Sequence, residues 1–458
     1  MEKTDIKELY NLKVADGEKV LIKGWVRTTR DSKVFGFLEV NDGTCLKNAQ
    51  VVLEKNVLNN FDEVVKLNMG STVYVKGSLV LTPQNKQPFE IKAEQVQVFQ
   101  ATDETYPIQK KRASVEYLRE IAYLRPRTNM FNAIFRVRSE CAFAIHKFFH
   151  EKGFVYAHTP ILTASDCEGG SQLFRVTTQE IYGKDKLNAK DELFGKPVYL
   201  TPTGQLEGEC FAQAFGKIYT FGPTFRAENS NTTRHANEFW MIEPEVCFAD
   251  LDDLMDLEEE MIKFIINHIF DTCKNELELL NNFVDKTLIE KLNNVRNSKF
   301  GRITYTDAIE LMKKNNDNFQ YKVEWGIDIQ TEHERYMAET VFGCPVFITD
   351  YPKDIKAFYM KQNDDGKTVR ACDLVVPGIG ELCGGSQREE DYTKLANRIN
   401  EVGLKEQDYW WYMNLRKYGS CIHSGFGIGF ERLVMYVTGA GNIRDVLPFP
   451  RTPNNCEY

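Results

Sequence analysis

Two periodicities divide the chain. Between residues 19 and 99, apolar and polar residues alternate in short runs: Val20-Leu-Ile-Lys-Gly-Trp-Val-Arg, Phe35-Gly-Phe-Leu-Glu-Val, Ala49-Gln-Val-Val-Leu, Thr72-Val-Tyr-Val-Lys-Gly and Phe89-Glu-Ile-Lys-Ala. A period of two marks half-buried strands. Five such runs, with Asn41-Asp42-Gly43 as a tight turn, predict a small closed β-barrel. Residues 101–128 are polar and proline-punctuated, and read as a hinge with a short helix over 114–121. Beyond residue 128 the period becomes helical. Ala133, Val137, Cys141, Ala144, Ile145 and Phe148 predict a helix over 129–152, stopped by Lys152-Gly153 and followed by a strand that ends at Pro160. Residues 251–270 predict an amphipathic helix with an acidic outer face. The runs starting at Phe347, Phe358 and Ala371 read as antiparallel core strands.

Composition narrows the class. The chain has 458 residues, enough for two or three domains, and its 42% hydrophobic share is ordinary for a globular protein. No run of about 18 apolar residues exists, so no membrane-spanning helix is expected. The first residues lack a basic-then-apolar signal pattern. Eleven cysteines occur without C-x-x-C or paired Cys/His spacing. That usage suits reduced thiols and a cytoplasmic location. A net charge of -9 argues against nucleic-acid binding by bulk charge, though not against a local basic face.

One stretch has neither period. Residues 225–239, FRAENSNTTRHANEF, carry turn chemistry in their middle and strand patterns on both sides. This is a hairpin with a long polar loop. It brings Arg226, Glu228, Arg234 and His235 to one place, a set suited to a polyphosphate with a metal ion. Further on, Gly380-Glu381 leads into Gly384-Gly-Ser-Gln-Arg388. His423-Ser-Gly-Phe-Gly-Ile-Gly-Phe-Glu-Arg432 is a glycine-rich strand running into a helix. Glu332, His333, Glu334 and Glu339 read as a solvated acidic helix rather than a metal cluster.

The F-R-x-E and R-H-x-x-E-F pattern of residues 225–239 resembles motif 2 of the class II aminoacyl-tRNA synthetases, nearest the asparaginyl/aspartyl/lysyl subgroup. Residues 129–160 resemble motif 1, which implies a homodimer. G-F-G-x-G-x-E-R at 425–432 resembles motif 3. The resemblance implies an α+β fold: an N-terminal OB-fold barrel joined to a class II core of antiparallel sheet flanked by helices. Its expected divisions are an anticodon-binding domain at 1–103, a hinge at 104–128 and a catalytic domain at 129–458, with an insertion at about 250–345.

The same resemblance implies residue roles. Arg226 contacts the α-phosphate and the amino-acid carboxylate. Glu228 accepts from adenine or the tRNA end. Arg234 and His235 reach the outer phosphates, and Phe239 stacks under adenine. Gly427 and Gly429 let ATP approach the backbone, and Arg432 pairs with the γ-phosphate. Glu381, with Asp373, is expected to hold Mg2+. Glu168, Gln205, Glu243 and Arg388 are expected at the amino acid, with Glu243 and Arg388 at opposite ends of one carboxamide. On the barrel, Phe37 stacks a base, Arg30 takes phosphate or a base edge, and Gln50 reads a base by its amide. Aspartyl relatives carry a lysine one turn into the helix that the stretch 199–209 opens; here Glu207 or Gly208 stands there, which favours a neutral substrate side chain. The implied reaction is ATP-dependent attachment of asparagine to tRNA(Asn) through asparaginyl-adenylate, as in the bacterial type of the family, releasing AMP and pyrophosphate. An aspartyl-specific enzyme and a tRNA-independent, asparagine-forming paralogue stay open as alternatives.

Overall fold

The computed structural model describes residues 2–85, 87–111, 113–165, 172–180 and 188–458. The chain forms two compact units, Met1–Ala133 and Ile134–Tyr458.

The first unit is built on a closed barrel. Its strands are β1 (Lys19–Ser32), β2 (Phe35–Asn41), β3 (Ala49–Glu54), β4 (Thr72–Leu81) and β5 (Phe89–Gln100), in the order β1-β2-β3-β5-β4. The alternating pattern is the cause. Val20, Ile22, Val26, Leu38, Val40, Val51, Val73, Val75 and Ile91 point inward and are fully buried, while their neighbours face out. The parallel pairing of β3 with β5 closes the ring. The short helix expected in the hinge is Val115–Glu120, capped by Ser114.

The second unit is organised by an eight-stranded sheet. Its members are β6 (Val155–Tyr156), β10 (Lys217–Phe225), β11 (Glu238–Cys247), β12 (Gly301–Thr304), β13 (Val346–Pro352), β14 (Thr368–Val376), β15 (Gly380–Gln387) and β16 (His423–Gly429). Their order is β12-β13-β14-β15-β16-β11-β10-β6. All neighbours are antiparallel except the two edge pairs, β12 with β13 and β6 with β10. A separate small sheet holds β7 (Leu162–Thr163), β8 (Arg175–Val176) and β9 (Val198–Leu200).

Three local expectations change. The strand expected to end at Pro160 is only two residues long; a proline cannot donate to a ladder. The run at Phe358 is not a core strand. It makes only isolated bridges, Met360 to Arg388 and Gln362 to Val369, while Phe358 packs with Tyr409 and Tyr412. Part of the stretch read as an insertion is packed into the sheet. Gly301–Thr304 is its edge strand, and the helix Leu251–Thr272 lies on β14, β15 and β16. That helix opens with a capping box between Asp250 and Asp253.

Candidate active site

The polar loop at 226–237 links β10 to β11 and hangs over the middle of the sheet. Beneath it, β16 runs antiparallel to β11, with Met241 opposite Gly429 and Glu245 opposite Gly425. Glycine recurs on one face of β16 for a steric reason. A Cβ on Gly425 would fall inside the Glu245 carboxylate, and one on Gly427 would strike Met241. The floor is therefore bare backbone.

Above this floor is a cleft of about 200 Å³. Arg226, Glu228, Arg234, His235 and Phe239 line it from the hairpin, Glu381 from β15, and Gly427, Gly429 and Arg432 from β16 and the helix that follows. All nine residues expected at the nucleotide thus share one hollow. The Arg226 guanidinium lies 5.5 Å from the Phe239 ring centre. Arg432 faces Glu381 across 3.7 Å, and both side chains stay partly open, at 30% and 41%. Glu431 is buried beside Arg432. It takes Arg138 at 2.7 Å and the Trp240 amide at 2.9 Å, which fixes the start of the helix Phe430–Thr438.

The loop is braced from outside. The Asn237 side chain donates to the carbonyls of Arg226 and Glu228. Arg444 donates to Asn231 and to the Thr232 carbonyl, and the Ile443 amide to Thr233. Burial, then Arg432, lowers the His235 pKa, so its imidazole stays neutral near pH 7.

Acidic groups gather at the phosphate end. Cβ atoms built on Gly384 would lie 3.3 Å from Asp373 Oδ1 and 3.4 Å from Glu381 Oε1, so these two carboxylates are neighbours. Asp373 is engaged by Lys356 Nζ at 2.6 Å. Glu334 joins them: its Oε2 accepts the Glu381 amide at 3.0 Å. Burial, with Glu381 and Asp373 adding, pushes the Glu334 carboxyl up to about 7. The expectation of a solvated acidic helix is corrected here. Glu332 accepts the Gln320 and Tyr321 amides, Glu334 that of Glu381 and Glu339 that of Gly378, while His333 is fully buried and bonded at both ring nitrogens. Among the described residues no group of three or more His, Cys, Asp and Glu side chains is arranged as a metal shell. Mg2+ does not need one, since it keeps waters and takes one or two carboxylates plus phosphate. Glu381, open to the cleft, fits that use.

Phe239, Met241, Glu243 and Glu245 follow one face of β11, so the row leads from the nucleotide end into the sheet. Glu243 is buried and accepts from Thr203 Oγ1, the Gly204 amide at 2.8 Å and Thr220 Oγ1 at 3.0 Å. Arg388 is also buried. It is bidentate on Glu245 and donates to Ser386 at 2.7 Å, partners the sequence reading did not include. Gln205 donates to Glu209 at 3.2 Å. Glu209 is in turn held by Tyr412, Arg416 and His423. Burial opposes its charge, but Arg416, His423 and Arg388 hold it well below the usual carboxylate range. This buried network was missed, though its spacing was visible: Glu245 is two residues along the strand from Glu243, and Glu209 one helical turn from Gln205. Glu168 lies outside the described residues.

On the barrel, Arg30 and Phe37 are register partners, with the guanidinium 4.7 Å from the ring centre. Phe37 is half-buried and Arg30 exposed. Gln50, on the adjacent strand, donates to Glu90 at 2.6 Å.

Comparison with known proteins agrees with this architecture. The family described as tRNA synthetases class II (D, K and N) matches residues 114–453, and an OB-fold nucleic acid binding domain matches residues 20–99. Asparagine–tRNA ligases of Bacillus cytotoxicus and Clostridium tetani are 58% and 57% identical to this chain over 100% of both partners. The crystal structure of asparaginyl-tRNA synthetase from Pyrococcus horikoshii complexed with asparaginyl-adenylate superposes with a TM-score of 0.88 at 36% identity, covering 100% of this chain and 99% of that one. The chain belongs to the class II aminoacyl-tRNA synthetases of the D, K and N group and, within it, to the asparagine–tRNA ligase family.

Proposed function

We propose that this enzyme activates asparagine with ATP in the cleft under the 226–237 loop and then passes the asparaginyl group to tRNA(Asn). The observation that carries the reading is the convergence of Arg226, Glu381 and Arg432 on one hollow. Asparagine carboxylate attacks the α-phosphate in line. The bond to the β-phosphate breaks, and pyrophosphate leaves. The terminal adenosine hydroxyl of tRNA then takes the acyl group, and AMP leaves. Negative charge builds on the α-phosphoryl oxygens, and Arg226 stabilises it there without transferring a proton. Arg432, Arg234 and neutral His235 hold the outer phosphates, Phe239 lies under adenine, and Glu228 accepts from it. Orientation supplies most of the rate, because no side chain has to act as nucleophile.

Glu381, with Asp373 beside it, would hold Mg2+; when bound, the ion neutralises phosphate charge. Glu243, Arg388 and Gln205 form the amino-acid end, with Glu168 taking the α-ammonium group. The barrel, 1–103, binds the anticodon through Arg30, Phe37 and Gln50, residues 104–128 serve as the hinge, and the rest is catalytic. The protein works as a cytoplasmic homodimer. Exposed Val155 and Tyr156 on edge strand β6 support the dimer, and the free thiols of the described cysteines support the compartment. Among the described residues no helix is long and apolar enough to cross a membrane.

Amino-acid-dependent exchange of radiolabelled pyrophosphate into ATP tests the reading. Exchange with asparagine well above aspartate and the other standard amino acids is expected. Exchange with aspartate instead, or asparagine release without tRNA, would replace it with one of the rivals.

A further inference from the structure

We propose that the helix Thr331–Arg335 is a positioning element for adenylate formation, with Thr331 and Glu334 setting the phosphate-side Arg234 and Glu381 in place. It rests on the reading of those two residues as phosphate ligands. The helix touches the cleft from outside, yet it bonds to both walls. Thr331 Oγ1 accepts from Arg234 Nη1 at 3.0 Å, on the hairpin side. One helical turn on, Glu334 Oε2 accepts the Glu381 amide at 3.0 Å, on the β15 side. The next turn repeats the grip, where Glu339 Oε1 accepts the Gly378 amide at 2.9 Å. The turn between β14 and β15, which carries Glu381, is therefore held by two carboxylates.

The backbone is shaped for this contact. Gly380 has a φ of +90°, and a Cβ there would lie 2.2 Å from Glu334 Oε2. Only glycine lets the carboxylate reach the neighbouring amide. Neither Thr331 nor Glu334 is needed to hold the short helix itself, whose capping is done by Gln330 and His333. The hydrogen bond that the Glu381 amide donates to the Glu334 carboxylate at 3.0 Å restrains one residue and its side chain. With the Arg234 guanidinium donating to Thr331 on the opposite wall, the two restraints fix the spacing across which a polyphosphate must fit.

The test uses the full chain and three variants: Glu334→Ala, Glu334→Gln, which keeps an acceptor oxygen, and Thr331→Val. ATP binding is measured by calorimetry with and without Mg2+, beside KM values for ATP and asparagine in pyrophosphate exchange. Glu334→Ala should weaken ATP binding by up to about tenfold, the scale of one lost hydrogen bond. Thr331→Val should weaken it several-fold, and Glu334→Gln should stay near wild type; the KM for asparagine should not move in any of them. Arg234→Ala and Glu381→Ala run in parallel. If those two bind ATP normally, the phosphate-site reading falls. If they weaken ATP while Glu334→Ala and Thr331→Val do not, the positioning role falls. Equal loss in Glu334→Gln and Glu334→Ala also overturns it, because the acceptor would then not be what matters. Should Glu334→Ala fail to fold, Glu334→Gln and Thr331→Val still decide.

Discussion

In the proposed amino-acid site, Glu243 would make a discrimination that shape cannot, because asparagine and aspartate are nearly isosteric. Its carboxylate is held in one orientation by Thr203, the Gly204 amide and Thr220. An amide NH2 presented to it gains a hydrogen bond, whereas a carboxylate meets like charge in a buried site. Glu243→Gln puts an amide nitrogen among protein donors and removes the charge. We expect kcat/KM for asparagine to fall roughly 10–100-fold, and the preference over aspartate to shrink, in pyrophosphate exchange with each amino acid. An unchanged ratio would show that specificity lies elsewhere, with Arg388 as the next candidate. Arg388 is poorly placed to act alone. Its guanidinium is already paired with Glu245 and Ser386, so in the proposed site it would meet the substrate as part of a fixed network.

At the scale of elements, the helix Leu251–Thr272 carries a carboxyl where an apolar residue would be expected. Glu258 is fully buried against β14 and β15, near Cys372 and Cys383. Burial pushes it up to about 8, with the two thiols pulling the other way and Asp373 adding to the rise. Between its ordinary value near 4.5 and about 8, the folded chain holds a proton that the unfolded chain has lost. Stability from this group therefore falls as pH rises through that window and levels off above it. Glu258→Gln removes the dependence. Its unfolding free energy relative to wild type should rise by roughly 2 kcal/mol from pH 6 to pH 8, measured by denaturant titration at both. This helix also shows what was legible from sequence. Its periodicity predicted its span almost to the residue, and the 226–237 loop was legible because strand patterns flank a polar run. Contacts made across distant segments were not. Nothing local in the Glu332–Glu339 run distinguishes acids that accept main-chain amides from acids facing water; the partners lie at 320, 321, 378 and 381. Phe358 read as a strand residue because its apolar neighbours serve an aromatic cluster rather than a ladder.

For the whole molecule, the proposed roles divide between the two units. The groups proposed for adenylate chemistry, with those that brace them, all belong to the second unit, between residues 138 and 444. The barrel contributes none of them. It does offer Phe37 with Arg30 stacked against it at 4.7 Å, on the strand pair β1–β2. An aromatic face beside a guanidinium suits an unstacked base with its phosphate, worth about 1–3 kcal/mol per stacked base. Half-burial makes the alternative concrete: a packing role for Phe37 on the barrel. The two roles separate by readout. If Phe37 reads tRNA, Phe37→Ala should raise the KM for tRNA in charging about tenfold or more while leaving asparagine-dependent pyrophosphate exchange at the wild-type rate. If it only packs, the melting temperature drops and tRNA affinity follows the folded fraction. Phe37→Tyr distinguishes these further, since it keeps the stacking face and most of the packing. Normal charging by Phe37→Ala at full thermal stability would take the anticodon away from this face of the barrel, and Gln50, tied to Glu90, would not replace it without breaking that bond.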